Sequence, residues 1–128
     1  MSYLMKLATI ASDQVPNIKP EWILSQWAHE TGGFQSELCV EHNNFAGLTQ
    51  DTPNGLEQPD GSCYYMEFDS AIEFATYFGK YLRLYESDGI FNCQSLEDYI
   101  RVLKDGGYFG ASYDEYLTGV RSWLVIIQ

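Results

Sequence analysis

The sequence has few basic residues and no long apolar run. Lysine and arginine number 7 against 18 aspartates and glutamates, which gives a formal net charge of −11. Proteins that hold a nucleic-acid backbone need a basic stripe to neutralise phosphates, and anionic membrane surfaces likewise attract basic segments. No stretch approaches the ~20 consecutive apolar residues of a transmembrane helix. We therefore expect neither nucleic acid nor a membrane as a partner.

Cysteine is also scarce, and its count of 3 is odd. No two of Cys39, Cys63 and Cys93 have the spacing of a metal site, so we expect no metal and no other cofactor. One disulfide with a free thiol and three reduced thiols both remain open. The segment from Met1 to Ala11 has no basic region before an apolar core, and Lys6 interrupts its apolar residues. We interpret it as an amphipathic helix and see no signal peptide.

What the sequence does contain is enough apolar material for one folded domain. Its 128 residues are 45% hydrophobic, which excludes a disordered chain and predicts a single domain over residues 1–128. Aromatic residues make up 16%. Such rings either fill a small helical core or line a groove that binds sugars or proteins, because they combine a flat apolar face with a polar tip.

Helical spacing of apolar residues predicts a mainly α protein. A first helix is predicted over Ser2 to Ala11, and a second from Pro20 to the Gly32-Gly33 stop. Three later helices begin at Ser-x-x-acid capping boxes, in which the serine hydroxyl accepts an unpaired backbone N–H. These boxes are Ser70 with Glu73, Ser95 with Asp98, and Ser112 with Glu115. Capping gives the three acids a structural explanation and makes them poor catalytic candidates.

Between these helices, the segment from Gln35 to Phe68 lacks helical periodicity. It contains turn signals at Asn43-Asn44, Pro53-Asn54-Gly55 and Pro59-Asp60-Gly61. A short β-hairpin around Pro59 to Gly61 is predicted, within a lobe over roughly residues 48–68.

Glu30 does not fit the stability pattern of its helix. It lies in the last turn of the second predicted helix, where the helix dipole disfavours a carboxylate. It also follows Ile23 by seven residues, which puts it on the apolar edge near Trp27. Desolvation and the dipole should both raise its pKa, as a glycosidase acid requires. The alternative is a surface glutamate at a frayed helix end.

Five segments, in order along the chain, resemble one family. Residues Trp27 to Gly33 are similar to the Ala-x-Glu-Ser-Gly signature of the lysozyme-like superfamily. Residues Glu41 to Leu48 resemble the Asn-Asn-Leu-Phe-Gly-Ile box of glycoside hydrolase family 73, which contains flagellar and phage endo-β-N-acetylglucosaminidases. Residues Phe68 to Glu73, Leu103 to Tyr108 and Tyr113 to Leu117 resemble its Phe-x-x-Tyr-x-Ser-x-x-Glu-Ser, Leu-x-x-x-Gly-Tyr-Ala-Thr-Asp and Tyr-x-x-Lys-Leu runs.

The resemblance implies a lysozyme-like fold, with an α-helical lobe and a small β-hairpin lobe flanking a groove. It also implies cleavage of the β-1,4 bond after N-acetylglucosamine in peptidoglycan. The sequence departs from the family pattern at three places. Gly33 replaces a tryptophan, Phe45-Ala46 replaces Leu-Phe, and the segment from Tyr108 to Ser112 lacks the family's Thr, Asp and Pro.

The resemblance also assigns catalytic roles. Glu30 is the general acid by both arguments. Glu57 opens the run that best matches the family's Glu-Tyr-x-Asn-Gly, which nominates it as a general base that activates water. The alternatives for this second carboxylate are Asp60, Glu67 and Asp69, the last two being equally well explained as solvated loop acids. Inverting, retaining and substrate-assisted routes all remain open, because sequence does not give the carboxylate separation.

Further residues are expected to contact substrate. Tyr108 matches the family's Gly-Tyr and would position substrate or water, although a packing role before the Ser112 cap is the alternative. Asn43 and Asn44 either bond to N-acetyl groups or build a turn. Phe45 and Tyr113 complete the expected substrate-binding set.

Nucleophilic catalysis of the triad type has no support. His29 and His42 lack a serine or cysteine partner at a recognisable elbow. We expect a monomer that acts on peptidoglycan glycan strands at the bacterial cell wall. The alternatives are a muramidase or lytic transglycosylase on the same fold, and an inactive glycan-binding module.

Overall fold

A computed structural model describes residues 2–50, 56–57 and 63–128 of the chain. In these residues the α-helices are α1 (Ser2–Ser12), α2 (Pro20–Thr31), α3 (Glu37–His42), α4 (Ala71–Leu82), α5 (Leu96–Asp105) and α6 (Tyr113–Ile127). The strands are β1 (Thr49–Gln50), β2 (Leu56–Glu57) and β3 (Tyr64–Tyr65). Two 3₁₀ segments, Arg83–Asp88 and Ile90–Asn92, join α4 to α5. None of the described helices is long and apolar enough to span a bilayer.

The predicted helix ends are confirmed by their capping bonds. The hydroxyls of Ser70, Ser95 and Ser112 each accept the backbone N–H three residues later, at 3.1 Å. Helix α2 begins at Pro20 and ends at Thr31, and the next residue, Gly32, has a left-handed backbone (φ 61°) that lets its N–H bond to the Ala28 carbonyl. The local signals at these ends were sufficient because each cap involves residues within one helical turn.

Helix α3 is the element that periodicity missed. The segment was predicted to be irregular because six residues are too few to show an apolar stripe. The helix begins where the Ser36 hydroxyl accepts the N–H of Cys39, and it ends at Asn43, which adopts a left-handed conformation with φ 55°. Asn43 therefore has the turn role that the sequence left open for it.

The three strands form one antiparallel sheet in the order β1-β3-β2. In the central strand, Tyr65 is opposite Thr49 on one side and Leu56 on the other. All three strands lie within the β lobe predicted over residues 48–68. The predicted turn at Pro59 to Gly61, including Asp60, lies outside the described residues.

Helix α2 is the centre of the hydrophobic core. Its Ile23, Leu24, Trp27 and Ala28 have no exposed surface, and α1 and α6 pack against it. The indole of Trp27 makes edge contacts with three phenylalanine rings at centroid distances of 5.2–5.7 Å; these are Phe45, Phe74 and Phe78. Because α2 is surrounded, the position of its last turn is determined by packing from several elements.

Two of the three tryptophans belong to the buried core, and one does not. Trp22 and Trp27 are buried, whereas Trp123 is only partly covered. The Trp123 ring lies against Gly33, where a Cβ would approach its Cη2 atom to 2.9 Å. No disulfide joins the three cysteines, and Cys39 and Cys93 are buried thiols.

Candidate active site

Glu30 lies at an open cleft between the helical lobe and the β lobe. The cleft has a volume of about 440 Å³. The last turn of α2 provides one side, and the loop before β1, together with β3, provides the other. The lining residues are His29, Glu30, Ala46, Gly47, Leu48, Thr49, Tyr65, Tyr81, Tyr108 and Tyr116. Glu30 is the one carboxylate among these described residues, and four of the ten are tyrosines, so the described part of the cleft combines one acid with aromatic walls.

Two tyrosine hydroxyls hold the Glu30 carboxyl group. The hydroxyl of Tyr116, on α6, donates to Oε1 at 2.6 Å. The hydroxyl of Tyr108, in the loop before α6, donates to Oε2 at 3.4 Å. The carboxyl group is therefore oriented by residues 78 and 86 positions away in the sequence.

Burial makes Glu30 a weak acid. Desolvation raises its pKa from 4.5 to about 7, and the hydrogen bonds from Tyr116 and Tyr108 act in the opposite direction. Burial and the nearby Glu30 charge raise the pKa of both tyrosines well above the usual value, so both hydroxyls remain donors. Glu30 is thus half-protonated close to neutrality, as the sequence predicted from its position on α2.

The polar residues next to Glu30 in the preceding turn of α2 are uncharged. Gln26, one turn before Glu30 on α2, is fully buried and accepts a 2.5 Å hydrogen bond from the Tyr99 hydroxyl. Tyr99 is itself fully buried. The Gln26 amide nitrogen has no hydrogen-bond partner among the described residues. Gln26 and Tyr99 carry no charge, so they give the Glu30 carboxylate no charge compensation, and its neutral form stays favourable.

The two asparagines predicted to bind substrate have structural partners. Asn44 has no exposed surface; its amide donates to the carbonyls of Leu48 and Met66 and accepts from the N–H groups of Ala46 and Leu48. Asn43 donates to the Phe68 carbonyl. Asn44 thus holds the cleft-lining loop in place, which agrees with the structural alternative that the sequence left open for it.

Phe45 and Tyr113 also lie apart from the cleft lining. Phe45 is buried, with its ring against Trp27, Phe34 and Phe74. Tyr113 stacks under the Arg101 guanidinium, 3.9 Å from ring centroid to Cζ, and its hydroxyl donates to a backbone carbonyl. Their surroundings support packing roles in place of the expected substrate contacts, because neither ring is among the residues that border the cleft.

The side chain predicted as the second carboxylate is outside the described residues. The backbone of Glu57 lies in β2, next to the Leu56 that pairs with Tyr65. Glu67 and Asp69 are exposed, and Glu67 bonds to Nδ1 of His42 at 2.8 Å. Neither acid borders the cleft, in agreement with their interpretation as solvated loop acids.

One cluster in the described residues has the geometry for a metal ion, and it lies outside the lining of this cleft. Glu37, Glu41 and His42 project from the surface of α3 with their ligand atoms within 4.8 Å of one another. His42 is already bonded to Glu67. The cluster is explained as surface charge pairing, and none of its members borders the cleft.

Sequence reasoning missed the residue with the shortest bond to Glu30. Tyr116 is buried on α6 together with Leu117 and Val120, and its helical spacing alone indicates a packing role. Its ring is buried, but its hydroxyl reaches the carboxyl group. The sequence indicated no catalytic role for His29, because no nucleophile accompanies it, but its ring borders the cleft. The sequence around a tyrosine does not show whether its hydroxyl bonds to an acid that is distant along the chain.

The geometry agrees with what comparison finds. The model of the family described as Glucosaminidase, mannosyl-glycoprotein endo-beta-N-acetylglucosaminidase, matches residues 6–124. The chain is similar in structure to the catalytic domain of the autolysin Auto from Listeria monocytogenes, with a TM-score of 0.68 and 18% identity over 98% of this chain and 82% of that one. No curated protein sequence matches significantly. The predicted mainly α fold with a small β lobe is confirmed.

Proposed function

Because the chain belongs to the glucosaminidase family, whose model spans residues 6–124, and is a glycoside hydrolase, we propose that it hydrolyses the β-1,4 bond after N-acetylglucosamine in peptidoglycan. Glu30 is the general acid in this proposal, and the bacterial cell wall is the place of action. The observation that carries it is a partly buried carboxyl group, with a pKa of about 7, that is the one carboxylate among the described residues lining an open cleft of about 440 Å³.

The proposed chemistry begins with proton transfer from Glu30. The carboxyl proton moves to the glycosidic oxygen while the bond from that oxygen to C1 breaks, and the bond's electron pair stays on the departing sugar. Positive charge develops at C1 and the ring oxygen. Water then adds to C1 and loses one proton to a second base. The aromatic side chains that line the cleft favour binding of the glycan, because rings pack against the apolar faces of sugars.

Glu57 is the base that we propose for the second step. It lies on the β lobe, and its neighbour Leu56 pairs with Tyr65, a residue that borders the cleft. A general base on the opposite lobe leaves room for water, as an inverting route requires. Exchange of Glu57 for alanine separates this route from a one-carboxylate mechanism, which would tolerate the change.

The pH profile follows from the raised pKa. Glu30 donates a proton only in its neutral form, so the rate is expected to fall as pH rises through about 7 and then tenfold for each further unit. The measurement is kcat/KM on soluble peptidoglycan fragments between pH 4 and pH 9. A high-pH limb centred near the ordinary glutamate value of 4.5 would contradict the assignment.

The bond specificity is tested by product analysis. Purified protein is incubated with peptidoglycan, and the soluble products are reduced with borohydride and identified by mass spectrometry. We expect fragments that end in reduced N-acetylglucosamine. Reduced muramic-acid ends would instead indicate a muramidase, and 1,6-anhydro ends a lytic transglycosylase. No release from several wall types by folded protein would favour a glycan-binding module.

A further inference from the structure

The tyrosine that bonds to Glu30 is held between two other rings. Phe109 stacks on Tyr116 with a centroid distance of 3.8 Å and an angle of 8° between the planes. On another side, the imidazole of His29 meets the same ring edge-on, at 5.0 Å and 86°. The phenol ring of Tyr116 is therefore restrained in two directions, while its hydroxyl points to the carboxyl group.

Helix α6 makes room for this arrangement with a glycine. A Cβ atom at Gly119 would overlap the ring of His29. Any other residue at position 119 would displace the His29 imidazole from its contact with Tyr116. Tyr116 lies one turn before Gly119 on α6. The stack thus depends on a close approach between α2 and α6 that only a residue without a side chain allows.

Two of the three ring positions, Phe109 and Tyr116, are places where this chain differs from the motifs that it resembles. Tyr116 occupies the lysine position of the Tyr-x-x-Lys-Leu run, and Phe109 occupies the alanine position of the Gly-Tyr-Ala run. His29 fills the variable position directly before the acid. The rings come together in space although 80 residues separate His29 from Phe109 in the sequence.

We propose that Tyr116, held between Phe109 and His29, is a positioning residue that keeps Oε1 of Glu30 as a hydrogen-bond acceptor and leaves the transferable proton on Oε2. This inference rests on the proposed role of Glu30 as general acid. A neutral carboxyl group carries its proton on one oxygen only. Both carboxyl oxygens accept a phenol hydrogen bond, but the 2.6 Å bond from Tyr116 to Oε1 is much shorter than the 3.4 Å bond from Tyr108 to Oε2. Oε1 is therefore the carbonyl oxygen, and the proton resides on Oε2.

The same hydrogen bond stabilises the ionised form of Glu30, and its removal should raise the pKa of that carboxyl group. Tyrosine is itself neutral here, so no opposite charge is lost with the hydroxyl. Among the described residues, the titratable groups that line the same cleft as Glu30 are His29, Tyr65, Tyr81, Tyr108 and Tyr116, and the Glu30 charge also raises the pKa of the buried Tyr99. Of these, Tyr108 and Tyr116 bond to the carboxyl group directly.

The test compares Tyr116→Phe, Phe109→Ala and the double variant with wild type. For Tyr116→Phe we expect kcat to fall about tenfold with KM unchanged, because orientation of the acid is lost. Its high-pH limb should move upward by about one pH unit. Phe109→Ala keeps the hydroxyl but frees the ring, so we expect a smaller loss in the same direction, and Phe109→Tyr, which retains a ring, should restore the rate.

The double variant shows whether Phe109 acts through Tyr116. If it does, Phe109→Ala changes neither kcat nor the pH limb further once the Tyr116 hydroxyl is gone. An equal loss in both backgrounds would overturn the proposal, as would an unmoved pH limb in Tyr116→Phe. Tyr3→Phe, an exposed tyrosine on α1, is the matched control and should behave as wild type.

An NMR titration of the Glu30 carboxyl carbon distinguishes failure of this inference from failure of the proposed function. It needs no substrate, and thermal melts verify that each variant is folded. If wild type cleaves no wall, the proposed function fails, but the titration still reports on Tyr116. A Glu30 pKa that is the same in wild type and Tyr116→Phe would overturn the positioning role even in an active enzyme.

Discussion

Exchange of Glu30 for glutamine is expected to lower the rate of glycan cleavage about 10³-fold. Glutamine keeps an oxygen that accepts the Tyr116 hydroxyl, so the cleft geometry should persist while the transferable proton is lost. General acid catalysis contributes roughly 10²–10⁴-fold, and this sets the size of the expected loss. The measurement is the rate of product release from peptidoglycan at pH 6, where wild-type Glu30 is mostly protonated.

The matched control is Glu86→Gln, which removes an exposed carboxylate from the first 3₁₀ segment. It should retain the wild-type rate. Activity of Glu30→Gln within tenfold of wild type would exclude Glu30 as the acid and make Glu57 the next candidate for that role. Circular dichroism of both variants separates lost chemistry from lost structure.

The same substitution should affect stability in a pH-dependent way. The pKa of Glu30 is raised from 4.5 to about 7 by folding, so the native state loses stability as pH rises through that window. Glutamine does not ionise. We therefore expect Glu30→Gln to have a free energy of unfolding above that of wild type at pH 8, by up to about 3 kcal/mol, and a similar value at pH 4. A gain of equal size at both values would indicate a cause other than ionisation.

Asn44→Ala is expected to have the largest effect on stability among the residues at the cleft. Its amide makes four hydrogen bonds to backbone groups of Ala46 and Leu48, in the loop that borders the cleft, and of Met66, directly after β3. Alanine would leave those buried groups without partners, each at a cost of roughly 1–3 kcal/mol before relaxation. We expect the free energy of unfolding to fall by about 3 kcal/mol, as measured by urea denaturation.

Activity should fall together with stability in this variant. The loop from Ala46 to Thr49 borders the cleft, and a shift of about 1 Å in such a wall costs roughly 10²-fold in rate. Asn92→Ala, an exposed asparagine in the second 3₁₀ segment, is the control and should change neither quantity. Unchanged stability in Asn44→Ala would show that water replaces the amide. Lost activity without lost stability would return Asn44 to the substrate-binding role predicted from its motif.

Short-range chemistry determined much of this protein from the sequence alone. The serine caps, the proline start and the glycine end of α2 act within one turn, so local residues were enough to predict them. The position of Glu30 on α2 was also decided locally. A residue seven positions after Ile23 lies on the same helix face as Ile23 in any fold, and burial of that face raises the pKa of Glu30.

Tertiary structure alone decided which groups meet that carboxyl group. The hydroxyls of Tyr108 and Tyr116 come from segments 78 and 86 residues away, and no periodicity in α6 separates Tyr116 from its core neighbours. The same holds for Asn44, for which the sequence left a binding role and a turn role open, and whose amide is buried by packing. Direction and distance between remote side chains depend on how helices cross, and the sequence pattern of a single helix contains no information on that crossing.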